Sequence, residues 1–257
     1  MSKFSDTALS FKEIYLAGIK TYAEAFPKVW IIAFINGIVS AVGLYVRELY
    51  MPIIPQKAAI TASTANMPPI SPHDTALFWG WNVVFALVAV LFFAILLQQV
   101  FEVIKGEKAG LLGSVKFVLS KASVVIIASL ITLFLAGIGF LLFLLPGIYL
   151  YVLFIFTVPY ILIENKGVFA AIAASVKLVW GKWIRTFVVM LPITAIFVLF
   201  TGVALKLTQG SSIGFSIASG IIAFLFVPFF TIYILYQFND LRIRKANKIA
   251  SKSISAK

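Results

Sequence analysis

Cysteine is absent from the 257 residues, and His73 is the one histidine. Without thiols the chain forms no disulfide, no thiolate metal site and no cysteine nucleophile. A single histidine beside Asp74 completes neither a familiar metal-ligand set nor a catalytic triad. Acids are scarce too, with 9 Asp and Glu against 21 Lys and Arg and a net charge of +12. Charged residues make up 12% of the chain, about half their share in soluble domains. So few charges cannot clothe a water-facing surface at this size, so hydrocarbon is the solvent for most of the protein. No phosphate-binding glycine loop and no dinucleotide fingerprint occurs. The expectation is a protein with no catalytic residues, no metal and no cofactor.

What is abundant is apolar. Hydrophobic residues make up 62% of the chain and gather in six runs, at about 29–46, 76–100, 122–144, 148–163, 184–205 and 214–237. A helix needs roughly 20 such residues to cross a bilayer core. No run holds a charge at its centre, where each would cost about 2.5–3.5 kcal/mol. Leu145-Pro146-Gly147 separates the third run from the fourth, and Pro-Gly chemistry predicts a tight turn there. The fold class that follows is all-α: one polytopic membrane domain with six transmembrane helices arranged as three hairpins.

The basic residues fix an orientation. Lys3, Lys12, Lys20 and Lys28 precede the first run, and Lys105, Lys108, Lys116 and Lys121 follow the second. Lys166, Lys177, Lys182 and Arg185 follow the fourth, and Arg242, Arg244, Lys245, Lys248, Lys252 and Lys257 follow the sixth. Only Arg47, Lys57 and Lys206 fall on the other side. Cytoplasmic segments carry such an excess, so both termini are expected in the cytoplasm. This accounts for the net charge without nucleic acid. The basic tail at 238–257 suits anionic lipid head groups. Segment 47–75, small, polar and marked by Pro52, Pro55, Pro68, Pro69 and Pro72, reads as a flexible outside loop. The first run of spanning length starts near Val29 behind four lysines and three acids, unlike a secretory signal. Trp30, Trp79, Trp81, Trp180 and Trp183 fall at run ends, as interfacial anchors do.

Each hairpin is preceded by an amphipathic stretch. In 8–27, Phe11, Ile14, Tyr15, Ile19, Tyr22 and Phe26 share a helical face opposite Lys12, Glu13, Lys20 and Glu24. Residues 108–121 group Leu111, Leu112, Val115, Val118 and Leu119, and 167–183 group Val168, Ile172, Val176 and Val179. The pattern predicts three inside helices along the interface and a threefold repeat about the membrane normal.

Several residues carry alternative readings. Pro159, Pro192 and Pro228 would kink the last three spans, as transport hinges or as ordinary membrane prolines. Ala33, Gly37 and Ala41, and Gly214, Ser216, Ala218 and Gly220, have the spacing of close helix packing, within the chain or in a homo-oligomer. Asn36, Asn82, Gln98 and Gln99 would line a polar path or bond across helices. Glu164 would bind a cation, pair with Lys166 or cap the helix that follows it.

The stretch Leu145-Pro146-Gly147-Ile148-Tyr149, Pro159, Glu164-Asn165-Lys166-Gly167, Ala170-Ala171, Ser175, Leu178, Gly181 and Trp183 resembles the signature of the YciC-like family of uncharacterised bacterial inner-membrane proteins. It is also similar to the membrane domain fused to some glycerophosphodiester phosphodiesterases, whose catalytic barrel has no counterpart here. The motif covers about 40 residues and makes Pro146, Gly147, Pro159, Glu164, Ser175 and Gly181 the candidate functional or structural residues. The resemblance implies an inner-membrane location and a link to lipid or envelope homeostasis, with no established activity. The expected function is therefore that of a non-enzymatic membrane protein that binds or organises lipids. The alternative is a small transporter or permease component for a neutral or lipid-like substrate.

Overall fold

A computed structural model of the chain describes residues 4, 7–50, 72–107, 110–209 and 211–255. The regular elements among them are all helices: α1 (Phe11–Tyr50), α2 (Pro72–Lys105), α3 (Leu111–Ser120), α4 (Ala122–Leu142), α5 (Leu144–Phe154), α6 (Thr157–Ile163), α7 (Val168–Val179), α8 (Trp183–Leu207) and α9 (Ser212–Ser255). Six segments are long and apolar enough to cross a membrane, within α1, α2, α4, α5 with α6, α8 and α9. The chain is thus an all-α, multi-pass membrane protein. Most of the loop expected at 47–75 lies outside the described residues. Its margins are helical, because α1 runs on to Tyr50 and α2 opens at Pro72, where a missing N–H leaves no helical bond unmade.

The first amphipathic segment is not a separate interfacial helix. It continues through Pro27 into the first span as a single helix of 40 residues, about 60 Å long. α9, with 44 residues, likewise runs on through the segment read as a tail. Both exceed a hydrocarbon core of about 30 Å, and they pack against each other. The face that α1 buries is Ile14, Gly18, Thr21 and Ala25, so Phe11 and Ile19, at 40% and 57% exposure, turn outward. The reason is the partner. A Cβ on Gly18 would stand 2.5 Å from the Tyr233 ring, so this face packs on α9 and does not lie along the interface. Farther along, a Cβ on Gly37 would lie 2.7 Å from the Gly220 carbonyl oxygen, and one on Gly220 would lie 2.7 Å from that of Gly37. The small-residue spacings at Ala33–Ala41 and Ser216–Gly220 therefore serve a close crossing inside this chain.

The second hairpin turns before its Pro-Gly pair. The chain is extended at Phe143, and Pro146 and Gly147 lie in the first turn of α5. Proline is accommodated there because its absent N–H has no helical acceptor to serve. The fourth span is not continuous. It breaks at Ile155 and Phe156, between α5 and α6. Pro159 offers the Ile155 carbonyl no N–H, and its ring crowds that carbonyl, so the helix breaks one turn before the proline.

α3 packs against α2, and α7 packs against α4, α5 and α6. Both are rotated from the expected orientation. α3 buries Ser114 and Val118 and leaves Leu112 84% exposed, while α7 buries Ala171, Ser175, Leu178 and Val179 and keeps Val168, Ile172 and Val176 half-buried. α1, α2 and α9 are held together along much of their length. α8, by contrast, buries only Ile193 and Ala204 between Leu191 and Leu207, and α4 beyond Thr132 buries only Ala136 and Gly139. The bundle is tight around the start of α1 and residues 231–241 of α9, and it opens toward the other end.

Candidate functional site

Two cavities lie where α4, α5 and α8 part from α9. The first, of about 350 Å³, has walls from α2 (Leu87, Val90, Phe93), α4 (Ser129, Thr132, Leu133), α5 (Tyr151) and α9 (Val227, Phe230). The second, of about 360 Å³, is bounded by Thr194, Phe197 and Val198 of α8 and Phe226 of α9, and shares Tyr151, Val227 and Phe230 with the first. Tyr151, Val227 and Phe230 thus form a thin partition. Each cavity has the volume of a small-molecule site. No acid, base, histidine, asparagine or glutamine lines either one.

Asn36, Asn82, Gln98 and Gln99 form no polar path through these cavities. Asn36 and Gln99 are buried in helix packing, Asn82 Nδ2 donates to the Phe78 carbonyl at 2.7 Å, and Gln98 Nε2 donates to Glu102 Oε1 at 2.9 Å. Membrane packing turns such side chains toward helix contacts and backbone acceptors nearer than any ligand.

A hydroxyl group bonds the backbone near each of the three span prolines. Tyr15 Oη donates at 3.0 Å to the Val188 carbonyl, the one that Pro192 leaves without an N–H. Tyr22 Oη donates at 3.0 Å to the Leu225 carbonyl, next to the Phe224 carbonyl that Pro228 leaves without an N–H inside the continuous α9. At the α5–α6 break, Ser175 Oγ donates to the Leu153 carbonyl at 2.6 Å and accepts the Phe156 N–H at 3.2 Å. Two of the candidate motif residues therefore act together: Pro159 interrupts the fourth span, and Ser175, from α7, satisfies the backbone on the other side of the interruption.

The remaining motif residues have separate places. Gly147 lets the Phe140 ring approach the backbone, since a Cβ there would lie 2.3 Å from the ring. Pro146 starts the same helix. Gly181 turns the chain between α7 and α8 at φ +76°, a left-handed conformation that suits glycine. Glu164 follows α6 and pairs with Lys166 at 3.0 Å and with Arg242 of α9 at 3.2 Å. Of the tryptophans, Trp81 and Trp183 donate to the Gly43 and Tyr149 carbonyls, whereas Trp79 and Trp180 are exposed as interfacial anchors are.

Sequence reasoning missed the strongest polar network. Asp240, on α9, has a fully buried carboxylate. Its Oδ2 accepts Arg185 Nε at 2.9 Å and Arg244 Nε at 2.8 Å, and its Oδ1 accepts the Leu9 N–H at 2.8 Å. Both guanidinium groups also donate to the Leu9 carbonyl. Arg185 and Arg244 mark topology in the sequence, but here they close a clamp on the N-terminal segment.

A repeated octet could have pointed to this end of the protein. Ser114-Val-Lys-Phe-Val-Leu-Ser-Lys121 and Ser175-Val-Lys-Leu-Val-Trp-Gly-Lys182 agree at five positions, and Thr21, Ala25 and Lys28 follow the same spacing. Thr21, Ser114 and Ser175 are all buried. Each reaches the even-numbered span before it in cyclic order: Thr21 bonds Tyr236 Oη at 2.8 Å, Ser114 donates to Glu102 Oε2 at 3.0 Å, and Ser175 bonds the fourth span. Each even-numbered span in turn ends in an acid, Glu102, Glu164 or Asp240.

Compared with known proteins, the chain matches no family model, no curated protein and no solved structure.

Proposed function

We propose that this is a non-enzymatic lipid-handling protein of a bacterial inner membrane, with both termini in the cytoplasm. The observation that carries the proposal is the pair of apolar cavities beneath the open end of the bundle. They have the size of a ligand site, no charged lining, and walls inside the spanning segments. Such a site suits molecules that arrive through the bilayer. The charge asymmetry supports the orientation, and the YciC-like resemblance of residues 145–183 supports the membrane and the link to envelope upkeep. Exposed Lys116, Lys177 and Lys182 on and beside α3 and α7 suit anionic head groups at the cytoplasmic face.

The test is the lipid profile of the protein extracted directly into native nanodiscs, compared with that of an unrelated six-span protein from the same membrane. Enrichment of one lipid class that Val227→Trp reduces is the expected result. A profile equal to the control overturns lipid handling. In that case solute flux in liposomes examines the transporter alternative, whose neutral substrate would use the same cavities.

A further inference from the structure

We propose that the two cavities are one binding site for a long-chain lipid-phase molecule that carries a carbonyl acceptor, and that the Tyr151 hydroxyl is its hydrogen-bond donor. The inference deepens the lipid-handling reading and rests on it.

Tyr151 is distinguished by where it lies, since the hydroxyls of Tyr45, Tyr149 and Tyr160 also have no hydrogen bond among the described residues but line neither cavity. Tyr15, Tyr22 and Tyr233 all donate to backbone carbonyls, and Tyr236 bonds Thr21. Tyr151 lines both cavities yet has no hydrogen-bond partner among the described residues. A phenol in hydrocarbon without an acceptor carries an unmet desolvation cost, and a ligand oxygen would remove it. The walls hold three other hydroxyls: Thr132 Oγ1 donates to the Ser129 carbonyl at 3.1 Å, Ser129 lines the first cavity alone, and Thr194 lines the second alone. Tyr151 carries the one hydroxyl that both chambers share, and a donor at that junction selects a ligand that is apolar on both sides of one polar group.

Entry is available on the α8 side. The outer half of α8 buries only two residues, and its Thr194, Phe197 and Val198 form the wall of the second cavity. Partition residues Val227 and Phe230 lie on α9, which is held firmly against α1. The ligand would therefore displace α8 rather than the packed side of the bundle. Two membrane sources supply a carbonyl on a long chain: the acyl ester of a glycerolipid and the ring of a prenylated quinone.

The experiment uses the full chain in nanodiscs with two photoactivatable probes, a diazirine-bearing acyl phosphatidylethanolamine and a diazirine-bearing prenyl quinone. Cross-links are mapped by mass spectrometry in the wild type and in Tyr151→Phe. One probe is expected to label 151–158, 194–198 and 226–230, with labelling at limiting probe reduced about tenfold in Tyr151→Phe, as the loss of one hydrogen bond implies. The labelling probe identifies the source. Unchanged labelling in Tyr151→Phe overturns the donor role. Labelling confined to other segments overturns the site while leaving lipid handling intact. A nanodisc lipid profile equal to the control, with neither probe attached, overturns both.

Discussion

Arg185, near the start of α8, donates its Nε–H at 2.9 Å to Oδ2 of Asp240, a carboxylate with no exposed surface. The contact joins two helices and, through Leu9, the segment before α1. Removing one partner of a buried ion pair strands the other, at about 3–5 kcal/mol. Asp240→Asn should therefore lower the unfolding free energy in detergent by about that amount, read from the shift in denaturant midpoint, and expose the bonds around Leu9 to protease. An apolar double replacement, Asp240→Leu with Arg185→Met, should recover part of the loss, because it removes the stranded Arg185 charge and leaves only the partly exposed Arg244 and the Leu9 N–H without their acceptor. A double variant as unstable as Asp240→Asn would contradict the clamp.

This clamp also shows why part of the protein was legible in sequence and part was not. Six spans follow from run length and charge position alone, because a bilayer sets both. The Asp240 network joins residues more than 170 positions apart, and a lone acid in a basic tail carries no local signal. The helix faces depart from the apolar periodicity for a related reason. Periodicity assumes the apolar side turns inward, yet α7 turns Ser175 inward because the broken backbone at Phe156 needs a partner. The break itself was foreseeable from Pro159, but the hydroxyl that seals it was not.

Glu102 stands in the second span where Glu164 and Asp240 stand in the fourth and sixth, but its partners are neutral. It accepts from Gln98 at 2.9 Å and from Ser114 at 3.0 Å. The Gln98 Oε1 atom is buried without a donor. Glu102→Gln should therefore cost less than about 1 kcal/mol, because the new amide both accepts from Ser114 and can donate to Gln98. Thermal unfolding in detergent should place this variant near the wild type. A loss as large as that of Asp240→Asn would show that Glu102 has a charged partner.

Ser175 and Pro159 should be energetically coupled. Ser175→Ala leaves the Leu153 carbonyl and the Phe156 N–H without the partner they have now, a cost of about 1–3 kcal/mol. Pro159→Ala restores an N–H one turn after Ile155 and lets the fourth span close its own backbone bonds. With Ala at 159, the further loss of the serine should therefore cost much less than it does alone. A double-mutant cycle on denaturant midpoints measures the difference. Additive effects would show that Ser175 serves packing and not the break.

The proposed orientation is open to direct labelling, because the chain has no cysteine of its own. Ser253 is exposed near the end of α9, beyond the sixth span, and Ser63 lies between the first and second spans in sequence. A membrane-impermeant maleimide applied to intact cells, or to spheroplasts where an outer membrane intervenes, should label Ser63→Cys and spare Ser253→Cys until the membrane is opened. The reverse pattern would place the basic face outside. The Asp240 clamp and the lysines of α3 and α7 would then meet the external leaflet, and the open end of the cavities would face the cytoplasm. The same two variants would therefore decide from which leaflet a lipid-phase ligand reaches Tyr151.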